Sequence, residues 1–538
     1  MPRAGWVKPQ SNQRLSDHIS IGVLTRVFPP ELVDRVVSEA GRSERRSRLL
    51  PARVVVYYVL GLALYSSSSY EEVIRMLVDG LAWQAGWQRP WSVPTKGALS
   101  QARSRLGAEP LVALFDAVAV PLATTATVGA FYREMRLVSI DGTCVDVPDT
   151  EVNDAEFGRP GSGRGSGVSA FPQVRLLGLG ECGTHAMVAV AHGPLSDGEQ
   201  TLAAGLLERL APDMLCLADR GFYSHALWKQ ASARGAQLLW RMKSNARLPV
   251  EERLADGSYL TSIYAAEDKR RTDGVKARVI EYEINDPGRP STEDQRYRLL
   301  CTILDPDRAP AGELAPLYAQ RWEFENALDE LKVHQRGPRV VLRYKTPDGV
   351  IQELYGHLCV HYAIRWLMHT IALESGQDPD RLSFTRTLRV ARRTTASHAG
   401  FPPTALKAAH EQATEELLFE LLPPRRLPRQ RSRRQTQDVQ VPRQARRAPQ
   451  PTQAHQVPRR RHHHSGSLTK RYCLASGVQT SKQARRRRRG LGGSRAGSTQ
   501  CLIPSRYPTA TGRLVRPPLG GASARAPELD ATHLGRGA

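Results

Sequence analysis

Apolar and polar positions along the chain change period several times, and each change marks a different kind of element. Residues 1–20 are polar and predict a flexible start. From 21 to 125 the spacing is helical: an apolar run at Ile21–Phe28, a first turn opened by Pro30, and a helix opened by Ser69-Tyr70-Glu71-Glu72. The run Val54–Tyr65 (VVVYYVLGLALY) is apolar on every side but too short to cross a bilayer, so it reads as a buried helix. KGALSQARSRLG follows Pro94-Thr95, with Gly107 as its stop and Arg103 and Arg105 read as exposed. From Arg136 strands take over. Leu137–Ile140 ends at Asp141-Gly142-Thr143, with Cys144–Val147 as a second short strand, and Phe171–Leu179 and Thr184–Ala191 read as a hairpin around Gly180-Glu181-Cys182-Gly183. Met214–Ala218 is a buried strand ending at Asp219, residues 223–234 are helical, and Ala236–Met242 is another strand.

These periods predict a mixed α/β core whose first part is 130–242 and whose completion is 313–424, with a β-rich insertion at 243–312 built from strands at 257–265, 276–284 and 296–304. Tyr318–Lys332 and Val350–Ser375 read as helices. Residues 425–538 show almost no apolar periodicity and are rich in Pro, Gln, Ser and Gly, so they predict a disordered tail.

Charge changes the picture only once it is located. The formal net charge is +23, but residues 425–538 hold 26 of the 76 Lys and Arg and three of the 53 acids, so residues 1–424 are neutral. A nucleic-acid surface on the body must come from local segregation of charge. The seven Cys form no C-x2-C pair, which fits a reduced cytosolic chain with idle thiols. No segment predicts a membrane role.

Candidate chemistry concentrates in Tyr318–Lys332 (YAQRWEFENALDELK). On a regular helix, at roughly 100° per residue, Tyr318, Arg321, Glu325 and Lys332 fall within an arc of about 60°. One stripe then carries a carboxylate, two cations and a phenol, a set suited to a phosphodiester held against a metal. Asp141 and Asp219 each follow an apolar strand, which predicts carboxylates at strand ends. With Glu325 they supply the three hard oxygen ligands that two divalent ions about 4 Å apart require.

The Y-x2-R-x3-E-x6-K spacing resembles the signature of DDE transposases encoded by cut-and-paste bacterial insertion sequences. DGTCVDVPDTEVNDAEFG resembles that family's stretch after its first catalytic Asp, and ADRGFYS the stretch around its second. The resemblance covers about residues 20–424. It implies a ribonuclease H-like core preceded by a helical DNA-binding domain at 21–125, consistent with the helix, Pro-containing turn and basic helix read there. It implies Asp141, Asp219 and Glu325 as catalytic and metal ligands for two Mg²⁺, with Mn²⁺ able to substitute. Tyr318, Arg321 and Lys332 would hold DNA phosphates, Arg343 and Lys345 are further backbone candidates, and Arg103 and Arg105 would serve the helical domain. The expected partners are terminal inverted repeats and target DNA, bridged by a dimer in a bacterial cytoplasm, at the nucleoid. A hairpin route is the expected chemistry.

Other features read as background. Glu353, His357 and His361 have ligand spacing on a helix but no further ligand, His462–His464 lie in the tail, and GRPGSGRGSG lacks the Lys-Ser/Thr of a phosphate-binding loop. Trp240 is a core residue or a base-stacking one, the core reading being favoured. The tail departs from the family: 24 of its 26 cations are Arg, which fits a basic DNA arm or a translated frameshift. The rival readings are a catalytically inactive DNA-binding remnant and a plain metal-dependent nuclease of the same fold.

Overall fold

The computed structural model describes residues 19–424, except 45–47, 49, 79–92, 162–168, 244, 285–295, 339 and 398–402, together with the short strand 433–435. Residues 1–18 of the expected flexible start, most of the Gly-rich loop and nearly all of the tail lie outside the described residues, whereas Ile19 and Ser20 are buried. The described residues all belong to one compact unit, Met1–Gln444.

Among the described residues a 3₁₀ helix, Gly22–Arg26, and five α-helices come first: α1 (Pro30–Glu39), α2 (Ala52–Leu64), α3 (Tyr70–Val78), α4 (Lys96–Leu106) and α5 (Glu109–Val118). β1 (Phe131–Tyr132), β2 (Met135–Asp146), α6 (Glu151–Phe157), β3 (Gln173–Glu181), β4 (Met187–Gly193), α7 (Glu199–Leu206), β5 (Met214–Ala218), α8 (His225–Ala233) and β6 (Gln237–Arg241) follow. Then come β7 (Glu252–Arg253), β8 (Tyr259–Ile263), β9 (Val275–Ile284) and β10 (Arg296–Cys301). α9 (Ala311–Leu317), α10 (Trp322–Asp329), α11 (Pro347–Glu374), α12 (Phe384–Ser397), α13 (Pro403–Phe419) and β11 (Arg433–Gln435) complete the order.

Among the described residues the strands form one sheet in the order β4-β3-β2-β5-β6-β10-β9-β8-β7, with β1 on β2 and β11 on β9. β4, β3 and β2 are antiparallel neighbours, and β5 and β6 then join in parallel, which is the ribonuclease H-like arrangement. The β-rich insertion continues this sheet: β10 pairs antiparallel with β6, Leu300 opposite Trp240. Against the expectation of a tail without regular structure, Arg433–Gln435 pair with β9.

The N-terminal helices share a hydrophobic core with α11. Every residue of α2 from Val54 to Leu64 is buried, as its all-round apolar sequence requires. This packing corrects the reading of Arg103 as an exposed DNA contact. Arg103 is 2% exposed. Its Nε donates to Gln352 Oε1 on α11 at 2.8 Å, its guanidinium stacks over Tyr344, and Gln352 Nε2 returns a bond to the Arg103 carbonyl at 3.0 Å. Its partners are some 250 positions away, so no local pattern could reveal them. Arg105, on the other side of α4, is exposed.

Trp240 is 1% exposed and meets Trp228 edge-on at 5.4 Å, so it belongs to the core. No helix among the described residues is long and apolar enough to cross a membrane.

Candidate active site

β2 carries the first carboxylate, and its geometry differs from the expected strand end. Met135–Asp146 is one continuous strand, because Asp141 and Gly142 keep their pairing with Gly178 and Leu177 of β3 instead of turning. On the other side β5 stops earlier: Ile140 pairs with Ala218, the last residue of β5. Asp141 therefore lies just past the end of its parallel neighbour, and Asp219 directly follows that end. Adjacent parallel strands bring the two acids side by side.

The third carboxylate comes from a segment that is not one regular helix. After α9, Tyr318–Arg321 is a 3₁₀ turn, α10 carries Glu325, and Glu330–Gln335 is a π turn carrying Lys332. π turns are rare and are found frequently at functional positions. Phe324 seats α10 on the sheet. Its ring lies over Gly178 and Gly180, where a Cβ would stand 2.8 and 2.1 Å from ring atoms, so only glycine leaves room.

Arg321 ties this segment to β2. It is 6% exposed, with Nη2 2.7 Å from Glu325 Oε1 and Nη1 3.4 Å from Asp141 Oδ2. One guanidinium thus bridges two of the three carboxylates. Burial opposes its charge, but Tyr318, Glu325 and Asp141 outweigh that and raise its pKa. Lys332 Nζ reaches β2 as well, donating to Thr143 Oγ1 at 2.7 Å. Tyr318 corrects the sequence reading: it is 5% exposed and its hydroxyl donates to the Ala218 carbonyl at 3.2 Å, so it anchors the end of β5 and is not open to a phosphate. Arg343 is half-buried and held by the Ser68 carbonyl at 2.8 Å, while Lys345 is exposed. Both lie on the segment before α11, on elements other than those that bring the three carboxylates together.

A fourth carboxylate escaped the sequence reading. Glu199 opens α7, and its oxygens lie 3.6 and 3.7 Å from the Cβ positions that Gly142 and Gly221 lack. The available signal was SDGE two residues after a strand. Its charge reaches Asp141, whose pKa is pushed up to about 6 by burial first and by Glu325 and Glu199, against the Gly142 N–H and Arg321. A carboxyl whose folded value exceeds its unfolded 3.8 costs stability once ionised: nothing below about pH 4, the full amount above about pH 6. Asp141→Asn is therefore expected to stabilise the metal-free protein at pH 8 by ~1–3 kcal/mol and to change little at pH 4. Thermal unfolding at the two pH values checks this.

The donor set fits a hard divalent cation. It consists of carboxylates, Asp141 is desolvated among like charges, and Asp219 Oδ1 is buried without a hydrogen-bond partner, the Arg241 guanidinium standing 3.7 Å away. A second group, His185, Glu323 and Asp380, has donor atoms within 4.8 Å of one another. It suits a metal less well. Arg365 Nη2 lies 2.5 Å from His185 Nδ1 and can only donate there, which leaves the imidazole proton on Nε2, facing Glu323 Oε2 at 3.0 Å. Glu353 instead accepts the backbone N–H groups of Arg343 and Tyr344, and His361 bonds Glu330.

Comparison with known proteins identifies the fold's relatives. Residues 18–116 match the model of the insertion element 4 transposase N-terminal region, and residues 132–363 match that of the transposase DDE domain. The transposase InsG of insertion sequence element IS4 from Escherichia coli (strain K12) is 30% identical over 382 residues, 70% of this chain and 83% of InsG. The putative transposase InsZ of the same organism is 24% identical over 232 residues, 43% of this chain and 71% of InsZ. Among solved structures, the piggyBac transposase synaptic complex with hairpin DNA aligns at 12% identity and a TM-score of 0.40, covering 75% of this chain and 85% of that one. The DDE domain makes the chemistry dependent on a divalent metal. This chain belongs to the IS4 family of DDE transposases, enzymes that cleave DNA and transfer its strands.

Proposed function

We propose that this transposase excises its own insertion element at terminal inverted repeats, using Asp141, Asp219 and Glu325 to hold two Mg²⁺ ions, with Mn²⁺ able to replace them. The observation that carries this reading is the Arg321 bridge between Asp141 and Glu325, with Asp219 beside them at the end of β5. Bound there, divalent ions supply positive charge to the entering and leaving oxygens of an in-line displacement. Asp141 and Asp219 fix one side of the site from adjacent strands, and Glu325 closes it from α10. Lys332, aimed at Thr143, and Arg321 place cations beside the scissile phosphate. Arg105 and Lys345 are exposed and free to contact DNA backbone farther out.

The reaction runs in two displacements. Water attacks the phosphorus of one strand and a 3′-hydroxyl leaves. That hydroxyl then attacks the opposite strand, forming a hairpin end while the flanking strand departs. One active site per DNA end makes the working species a dimer on DNA, in a bacterial cytoplasm at the nucleoid where element and target lie.

A duplex carrying the element's terminal repeat, incubated with the full chain and Mg²⁺, tests this reading. A nick at the repeat end followed by a covalently closed hairpin is the expected course. Sequence-independent nicking with no closed product would instead establish a plain nuclease.

A further inference from the structure

The face of α10 turned away from the three carboxylates is held by a buried chain of charges that the cleavage chemistry does not use. At its centre Glu330, the first residue of the π turn, is gripped by Arg365 of α11 through both carboxylate oxygens, with Arg365 Nε 2.8 Å from Oε2, and by His361 Nε2 at 3.3 Å. Burial alone would raise the Glu330 carboxyl, but Arg365 above all, with the His361 imidazole, holds it well below the ordinary value. Arg365 also donates to His185 Nδ1, and His185 Nε2 faces Glu323 Oε2 at 3.0 Å. His185 sits in the β3–β4 turn at φ +57, a backbone state that non-glycine residues seldom adopt and that is kept where surrounding contacts dictate it.

Glu323 and Glu330 bracket Glu325, and Lys332 follows within the π turn. We infer that the Glu330–Arg365–His185–Glu323 chain is a positioning device that fixes the rotation of α10 about its axis, and so sets where Glu325 and Lys332 point. The inference rests on the assignment of Glu325 as a metal ligand. On a continuous α-helix Lys332 would be turned by a different angle from Glu325; pinning Glu330 to α11 keeps the π turn, and with it the Lys332 contact to Thr143. Partners behind a ligand commonly govern metal affinity by ten- to a hundredfold, approximately.

The test is Mn²⁺ binding, followed by electron paramagnetic resonance, to the full chain on uncut terminal-repeat DNA, with DNA affinity, melting temperature and strand cleavage measured beside it. His185→Asn places a residue that tolerates positive φ, and Glu323→Gln keeps the side chain's shape. Each is expected to weaken Mn²⁺ binding and slow cleavage about tenfold while leaving DNA affinity and melting temperature near the parent's. The two together should cost little more than either, since both cut one chain. If His185→Asn fails to fold, Glu323→Gln decides alone. Folded variants that bind Mn²⁺ and cleave as the parent does overturn the inference. Glu325→Ala separates the two claims. Unchanged Mn²⁺ binding in Glu325→Ala means the site assignment has failed; binding abolished there but intact in the other two means only the positioning inference has.

Discussion

Alanine at Asp141, Asp219 or Glu325 is expected to lower strand cleavage by at least about a thousandfold while leaving affinity for the terminal repeat within a few-fold of the parent. In the proposed site each substitution removes a hard oxygen ligand for which no other described carboxylate stands on the same three elements at the same place, and each leaves the N-terminal helices untouched. Glu199 sharpens the expectation. It lies near Gly142 and Gly221 but on a different element from the three acids, so its replacement by Gln should be far milder than loss of any of them. Gel assays of cleavage and binding on the same labelled duplex measure both effects. Equal loss of binding and cleavage would mean that the acids support the fold instead of the chemistry.

The second large effect comes from a buried glycine of β3. A methyl at Gly180 would stand 2.1 Å from Phe324 Cε2, and the Phe324 ring is fully buried. The ring cannot swing aside, so α10 must lift. Overpacking of this kind costs ~1–3 kcal/mol, and a displacement of about 1 Å at a reacting group costs on the order of a hundredfold in rate. Gly180→Ala should therefore slow cleavage about a hundredfold with terminal-repeat binding retained. Combining it with Phe324→Leu, which removes the clashing ring, should recover part of the rate. Failure of the pair to recover any activity would show that Phe324 contributes more than its seat on β3.

Periodicity made most of the core legible. Strands near 214–218, 237–241, 259–263, 275–284 and 296–301, and the long helix from 347, stand close to where alternation and helical spacing put them. What escaped depends on contacts that sequence spacing does not carry. Asp141-Gly142 has turn chemistry, yet β3 pairs with both residues and the strand runs through. Tyr318–Lys332 contains no helix breaker, so nothing local announces a 3₁₀ turn at one end and a π turn at the other. At each lies a tertiary contact, Tyr318 with Ala218 and Glu330 with Arg365, which sequence spacing does not carry. The four-residue signature was thus informative about chemistry although the regular helix used to rationalise it does not exist. Arg321, Glu325 and Lys332 do meet at β2, whereas Tyr318 serves the scaffold. Arg103 shows the same limit: a basic residue on an apparent DNA-reading helix is instead consumed by Gln352 and Tyr344.

Anomalous scattering from Mn²⁺ in crystals of the full chain bound to terminal-repeat DNA locates the metal. Density coordinated by Asp141, Asp219 and Glu325 is expected, and is lost when Glu325 is replaced by Ala. Density at His185, Glu323 and Asp380 with the three acids left bare would contradict this assignment.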